Sequence, residues 1–405
     1  MSTTNPRAIR SALVIGGGIS GPVTATALTK AGIEARVFEA YPGPAYGIGS
    51  NLALAPNGVA ALDIIDAGDA VRAIAAPIHT SSMSVNSKNV PMPVLTGVEP
   101  LRLVDRPDLH VALHDTAVAN GVRFEYNRKL VDVQEHADGV TAHFADGSSA
   151  TGDVLIGADG IRSTVRTLID PEAPGPTYLG MLGFGAYTEI TDPIPPGNMT
   201  FAFGKRGYYL YWTMPDGRAA WGANLPHEKY MSLSEARTVP NAEWLRILRE
   251  VYVDDTPGAE LARNTKPEEL MVVGALHIMP KVPHWYRGRM VLTGDAVHAP
   301  SNTSGQGGSM AIESAIELAR CLRDIEDPAT AFATYEALRR PRVEAVANRV
   351  KRMNHTKAAG PITRAAMGLI MPMMLKRMDP EKTLGHEQRF RIDWDAPVRP
   401  VRAAA

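Results

Sequence analysis

Arg10-Ser11-Ala12-Leu13-Val14-Ile15-Gly16-Gly17-Gly18-Ile19-Ser20-Gly21 is the stretch from which the fold of this chain is read. Residues 10–15 have the composition of a short buried strand and residues 22–31 that of a helix, with a glycine turn between them. Gly16 permits the tight turn, Gly18 lets backbone N–H groups approach a pyrophosphate, and Gly21 lets helix and strand pack closely. Ile19 and Ser20 complete the turn, at a helix N-terminus that favours an anion. A second strand, residues 35–38, ends at Glu39, about 20 residues on, where an acid accepts the hydroxyls of an adenosine ribose. The pattern predicts an α/β chain with a Rossmann-like unit. FAD sites, NAD sites and simple binding modules share this geometry, and a glycine turn without nucleotide is the plainer alternative.

Two later segments have the same strand-then-turn form. In residues 153–160 the apolar run Val154-Leu155-Ile156 ends in Gly157-Ala158-Asp159-Gly160, and Ser163 is placed to cap a helix through Val165 and Leu168. By its chemistry alone Asp159 reads equally as a turn aspartate, and Arg162 and Arg166 as surface charges or phosphate ligands. The third segment, Met290-Val291-Leu292-Thr293, reads as a buried strand with Gly294 and Asp295 at its end. After Gly305-Gln306-Gly307, apolar residues at 312, 315, 316, 319 and 322 have the spacing of an amphipathic helix.

In this order and spread over most of the chain, the three segments resemble the FAD contacts of the single-component (class A) flavin monooxygenases, the p-hydroxybenzoate hydroxylase-like group. The resemblance implies noncovalent FAD held by Gly16, Gly18, Ile19, Ser20, Gly21 and Glu39. It puts Asp159 near the flavin pyrophosphate and the transient nicotinamide. Gly294 and Asp295 fall at the ribityl hydroxyls, and Gly305, Gln306 and Gly307 at the flavin. A helix starting there favours the negative charge that develops at N1 and C2=O on reduction. Arg102-Leu103-Val104-Asp105-Arg106-Pro107-Asp108-Leu109 resembles the family stretch whose arginine, here Arg106, reaches the flavin. Its alternative is a surface arginine before a helix begun by Pro107. Gly47 and Gly49, with Pro56 and Asn57, match the loop that crosses the isoalloxazine ring, or form a plain turn.

The chain departs from the family pattern at two places. Ala40 replaces a basic residue after the ribose acid, and Asn302 stands where a proline is common, three residues before Gly-Gln-Gly. Asn302 is therefore a pocket candidate on the oxygen-reacting face. His298 is expected to be structural.

With 405 residues, a formal charge of −1 and 45% hydrophobic residues, the chain has material for one large or two ordinary domains and no bias toward nucleic acid. The single Cys321, inside the helix after Gly307, excludes an intramolecular disulfide and a cysteine-rich metal site and argues against thiol-linked flavin. No metal is expected, since the eleven histidines show no paired ligand spacing. The polar first nine residues lack a signal region, which points to the cytoplasm. Residues 367–375, broken by Pro372, are too short to span a bilayer. Gly307-Gly308-Ser309-Met310-Ala311 lacks the last glycine of a nucleophile elbow. The adjacent pairs Asp254-Asp255 and Glu268-Glu269 are expected on solvated faces.

The organisation that follows is a discontinuous, glutathione-reductase-like FAD-binding domain (residues 1–78, 95–176 and 281–350) with an antiparallel β-sheet substrate domain (79–94 and 177–280). A C-terminal helical segment (351–405) completes it. Phe201-Ala202-Phe203, residues 208–213 and residues 220–225 read as strands between turns such as Pro215-Asp216-Gly217. Alternation puts residues 209, 211 and 213 on one face and 208, 210 and 212 on the other. Family hydroxylases set a tyrosine of this strand against the substrate. That implies Tyr211, with Tyr209 beside it, Phe201, Phe203 and Trp221 widening an aromatic wall, and Trp212 behind the sheet.

The implied activity is that of an NAD(P)H-dependent FAD monooxygenase (EC 1.14.13-like), with NADPH or NADH as a transient donor. Oxygen adds at flavin C4a, and the hydroperoxide hydroxylates an electron-rich small molecule, aromatic or polyketide-like, of secondary metabolism. No base is assigned; sheet tyrosines and His227 are candidates. A monomer or homodimer is expected. Three alternatives stand beside this reading. A halogenase is one, although Leu210-Tyr211-Trp212-Thr213-Met214-Pro215 lacks the first Trp and the Ile of Trp-x-Trp-x-Ile-Pro. The others are a flavin reductase or dehydrogenase without oxygen insertion and a non-catalytic flavin-binding protein.

Overall fold

The computed structural model describes residues 9–44, 51–85, 88–214, 216–300, 305–357, 370 and 373–401. Two large sheets organise it. The first has six strands in the order Tyr286–Arg287, Met290–Leu292, Val154–Gly157, Ser11–Ile15, Glu34–Phe38, Arg123–Glu125. All neighbours run parallel except the first pair. Val14, Leu155 and Val291 are fully buried, as strands covered on both faces require. Helices Ser20–Lys30 and Gly307–Asp324 pack against each other in that covering.

Register explains why segments so distant in sequence meet. Ile15 pairs with Gly157, and Gly157 with Leu292, so three parallel strands end level with one another. The turns that follow, at Gly16, Ala158 and Thr293, therefore lie side by side at the carboxyl edge, where open α/β sheets bind ligands.

The second sheet has seven strands in the order Leu270–Ile278, Thr177–Thr188, Ala219–Pro226, Tyr208–Thr213, Asn198–Phe203, Thr80–Val85, Lys88–Pro91. It is not wholly antiparallel as expected, because Thr80–Val85 runs parallel to Asn198–Phe203. Parallel neighbours need a long crossover, and here the chain supplies one by returning through the first sheet between them. One face buries Leu182, Phe184 and Leu225 under helices Asn241–Tyr252 and Gly258–Asn264. The former presents Trp244, Leu245, Leu248 and Tyr252 as its apolar stripe. The other face meets Ile78 and Leu103 of the first unit.

Two expectations are corrected. Asp255 is buried at 6% exposure, not solvated, because its Oδ1 accepts the Lys205 N–H at 2.9 Å. The C-terminal segment is helical only in part: after Glu381–Gly385 and His386–Gln388 the chain from 390 to 401 runs without helix. Pro397 and Pro400 cannot donate helical hydrogen bonds. Arg320 and Arg323 instead anchor this stretch through the carbonyls of Ala396 (2.8 Å) and Trp394 (2.6 Å).

Candidate active site

The first glycine turn is shaped by what a side chain would strike. Gly16 has φ +103°, and a Cβ there would lie 2.5 Å from the Ala158 carbonyl oxygen; at Gly21 it would lie 1.9 Å from that of Gly16. Gly18 differs, with nothing within 4 Å of its Cβ position. Behind the turn, Glu39 accepts the N–H groups of Gly17 (2.6 Å) and Tyr41 (3.0 Å). Helix Ser20–Lys30 has neither a side-chain cap nor an acid in its first turn. Ser20 Oγ is buried without a partner among the described residues. Orphan donors facing open space at a helix N-terminus are what a diphosphate requires.

Asp159 Oδ2 accepts from the backbone N–H groups of Thr164 (2.7 Å) and Val165 (3.1 Å), starting helix Thr164–Ile169 with Ser163 as its cap. Its Oδ1 has no partner among the described residues, and burial pushes its carboxyl up. Arg166 is neither a surface charge nor free for phosphate. Buried, it donates to the carbonyls of Ala296 (2.8 Å) and Ile161 (2.9 Å), tying the second segment to the third.

Asp295, half-buried, opens the short helix Asp295–His298. Burial pushes its carboxyl up while the positive charge of Arg106 opposes that shift. Arg106 itself is exposed at the first position of helix Arg106–Ala119. The fold thus brings together a cation and an acid far apart in sequence. One turn further along, buried His110 donates from Nε2 to the Gly17 carbonyl at 2.6 Å, bracing the glycine turn. Sequence reasoning missed this residue; its signal was a polar ring one helical turn after Arg106. His298 is structural in its contacts. Burial, with Arg339 nearby, pushes its pKa down to about 3, and Nε2 pairs with Ser314 Oγ at 2.8 Å.

Helix Gly307–Asp324 begins after Gly305 (φ +61°) and buried Gln306, again with no side-chain cap and no acid in its first turn. It is held from behind. Asn57 Nδ2 donates to Gln306 Oε1 (3.0 Å) and to Glu313 Oε1 (2.7 Å), and Ser309 Oγ accepts the Ala55 N–H (3.0 Å). Glu313 in turn pairs with Arg339 and Arg342, each at 2.8 Å. Burial pushes the Glu313 carboxyl up, but Arg339, Arg342 and Asn57 prevail and hold it below the usual range. Sequence reasoning missed this network, although a glutamate within an apolar helical pattern was a signal. Gly47, Gly49 and Asn302 lie outside the described residues.

The aromatic pocket expectation is corrected. Tyr209 and Tyr211, 1% and 2% exposed, pack with Trp221, Trp244 and Tyr252 beneath the covering helices, away from the first unit. Tyr209 OH accepts the Gly258 N–H at 3.3 Å, and Trp221 Nε1 donates to Thr265 Oγ1 at 3.0 Å. The physical reason is the amphipathic helix Asn241–Tyr252, whose stripe of Trp244, Leu245, Leu248 and Tyr252 needs an apolar partner face, which Tyr209, Tyr211 and Trp221 supply. Trp212, expected behind the sheet, instead faces Ile78 and Leu103. Phe203 shares the Trp212 side, its ring 5.4 Å from that of Tyr208, and packs against Met83, Val85 and Leu375. His227 is half-buried and donates from Nδ1 to the Lys229 carbonyl at 2.6 Å. At the junction of the units, Tyr187 OH and Asn51 Nδ2 both donate to Asp105 Oδ1, at 2.8 and 2.7 Å.

Among the described residues no helix is long and apolar enough to cross a membrane, and no cluster of three His, Cys, Asp or Glu side chains could hold a metal ion.

A family model described as FAD binding domain matches residues 10–350. The FAD-dependent urate hydroxylase of Klebsiella oxytoca is 31% identical over 344 residues, covering 82% of this chain and 86% of that protein. The 3-hydroxybenzoate 6-hydroxylase of the same organism is 26% identical over 381 residues, covering 89% and 92%. Aurachin C monooxygenase/isomerase of Stigmatella aurantiaca is 29% identical over 341 residues, covering 81% and 84%. Among solved structures, Klebsiella pneumoniae HpxO complexed with FAD and uric acid superposes with a TM-score of 0.80 at 24% identity. It covers 94% of this chain and 96% of that one.

Proposed function

The chain belongs to the FAD-binding family of flavin monooxygenases, and from that premise we propose that it hydroxylates an electron-rich, aromatic small molecule with NADPH or NADH and dioxygen. One observation carries the reading. Two uncapped helix N-termini, at Ser20 and Gly307, stand at the edge where Glu39, Arg106, Asp159 and Asp295 gather. The chemistry of that set fits FAD: orphan N–H groups and Ser20 for the diphosphate, Glu39 for the ribose, Asp295 for ribityl hydroxyls. FAD, when bound, accepts hydride from the nicotinamide and activates dioxygen for transfer to the ring.

This chain's own residues supply position and charge. The N-terminus of the helix at Gly307 stabilises negative charge on a flavin lying against it. Asn57, Glu313, Arg339 and Arg342 keep that helix end in place from behind. Arg106 supplies a positive charge that acts on Asp295. We propose noncovalent attachment of FAD, action in the cytoplasm, and a monomer or homodimer.

The test is turnover of the purified yellow protein with a panel of hydroxylated aromatic and heteroaromatic compounds under NADPH and isotopically heavy dioxygen. Nicotinamide oxidation is expected to be slow alone and to accelerate with a true substrate, whose product carries heavy oxygen. Product without heavy oxygen reassigns the protein as a dehydrogenase. A rate of nicotinamide oxidation unmoved by any compound removes the support for gating by substrate.

A further inference from the structure

Five charged side chains meet behind the start of helix Gly307–Asp324. Arg339, Arg342 and Arg349 are spaced so that they share one face of helix Pro328–Lys357. Glu313 pairs with the first two at 2.8 Å each. Glu387, from the C-terminal segment, accepts from Arg349 through both carboxylate oxygens, at 2.7 and 2.8 Å. The same segment closes over Arg342, which donates to the carbonyls of His386 (3.0 Å) and Glu387 (2.8 Å) and lies 4.0 Å from the centre of the Phe390 ring.

The charges of this cluster do not cancel. Three guanidinium groups face two carboxylates, which leaves one positive charge over, and Arg339 Nη1 has no hydrogen-bond partner among the described residues. The next pair along the helix, Glu317 with Arg320 at 2.8 Å, balances itself. Glu313, Arg339 and Glu387 are at most 1% exposed, so salt screens the cluster weakly and its field reaches further than that of surface charges. Glu313 is the seventh residue of its helix, about 9 Å along the axis from the N-terminus. Asn57 joins it to Gln306 at that end.

Resting on the flavin-enzyme reading above, we propose that this cluster sets the reduction potential of the bound FAD, and that the C-terminal segment takes part through Glu387. A hydride brings two electrons and one proton, so FAD that accepts it carries one added negative charge, spread over N1 and C2=O. The N-terminus of the helix at Gly307 favours that charge, and the surplus cation behind it adds to the same field. Removing a cation from the cluster therefore disfavours reduction, and removing an anion favours it. The five residues act through the field, as tuning groups, and not by contact.

The test is the midpoint potential of the FAD-loaded protein, read by reductive titration with dithionite against a reference dye in mildly alkaline buffer. At a fixed solution potential, Arg342→Gln is expected to lower the ratio of reduced to oxidised flavin about fivefold, and Glu387→Gln to raise it about threefold. Arg342→Lys keeps the charge and loses the planar fork, so it should stay within about twofold of the parent. A merely structural role gives no such opposition of sign, because loosening the helix end from either side moves the potential the same way. If Arg342→Gln does not fold, Arg349→Gln, at the most exposed of the three arginines, takes its place with the same sign. If Glu387→Gln does not fold, the contrast between the Gln and Lys variants of Arg342 decides. Shifts of one sign in both kinds of variant, shifts below about 1.5-fold, or an Arg342→Lys that follows Arg342→Gln overturn the inference. The readout is a potential, so a missing heavy-oxygen product sinks the monooxygenase reading without deciding the role of the cluster.

Discussion

Tyr211 and Trp212 are consecutive, yet their rings lie on opposite sides of the seven-stranded sheet, Tyr211 among Trp221 and Tyr252 and Trp212 against Ile78 and Leu103. Tyr211→Ala should therefore act as a core deletion, losing about 3–5 kcal/mol of stability with KM and FAD occupancy unchanged. Trp212→Ala should loosen the seat of the sheet on the first unit and divert oxygen to hydrogen peroxide. Denaturant titration and a peroxide assay separate the two. A raised KM for Tyr211→Ala at unchanged stability would return that ring to the substrate side.

Asp295→Ala should weaken FAD binding by about tenfold or more, since the role proposed for this carboxylate, just after the strand Met290–Leu292, is to accept hydrogen bonds from the ligand. The ratio of flavin to protein after dilution and gel filtration measures it. Full retention of flavin would remove Asp295 from the site. Release of all flavin on denaturation is the companion result expected of noncovalent attachment.

Glu313→Gln leaves the buried guanidinium of Arg339 and the half-buried one of Arg342 without their shared anion. Breaking a buried pair from one side costs about 3–5 kcal/mol, so the variant should unfold at markedly lower denaturant. Combining it with Arg339→Met should recover part of the loss. A double variant no more stable than Glu313→Gln alone would show that the pair is not coupled in this way.

Acid should destabilise the protein in two stages. His298 titrates near 6.5 when unfolded and is pushed down to about 3 in the fold. Between those values the unfolded chain binds the extra proton, so the stability held above about pH 6.5 falls as pH drops toward 3, by about 5 kcal/mol in all. Glu313 is held below its ordinary value, so its contribution is present above the unfolded carboxylate pKa and disappears as pH falls through the lower folded one. Unfolding free energy measured against pH should have a shallower slope from pH 6.5 to 5 in His298→Asn. An unchanged slope there would assign the acid sensitivity to other groups.

What could be read in advance follows the range of the interaction. Gly16, Gly21 and Glu39 were legible because a strand, a turn and a helix within some thirty residues constrain one another locally. The helix from Gly307 was legible from its period. Period-two alternation separated Tyr211 from Trp212 correctly but carries no information about which side a second layer will cover. That depended on helix Asn241–Tyr252, whose stripe of Trp244, Leu245, Leu248 and Tyr252 needed a partner face. The clamp on the helix at Gly307 was hidden for another reason: Asn57 reaches Glu313 across 256 positions of sequence, and no local pattern announces such a bond.

The strand order has a consequence for synthesis. Ser11–Ile15 and Val154–Gly157 emerge early, but the neighbour that covers Val154–Gly157 is Met290–Leu292. At ribosomal rates of about 5–20 residues per second, that edge stays open for roughly 7–27 s. Through that interval the nascent chain exposes an unpaired row of backbone groups and apolar side chains, a template for pairing with another chain. Flavin capture is necessarily a late event, after the last third has been made. Yield should therefore depend more on chaperone supply during translation than on the flavin concentration at its start.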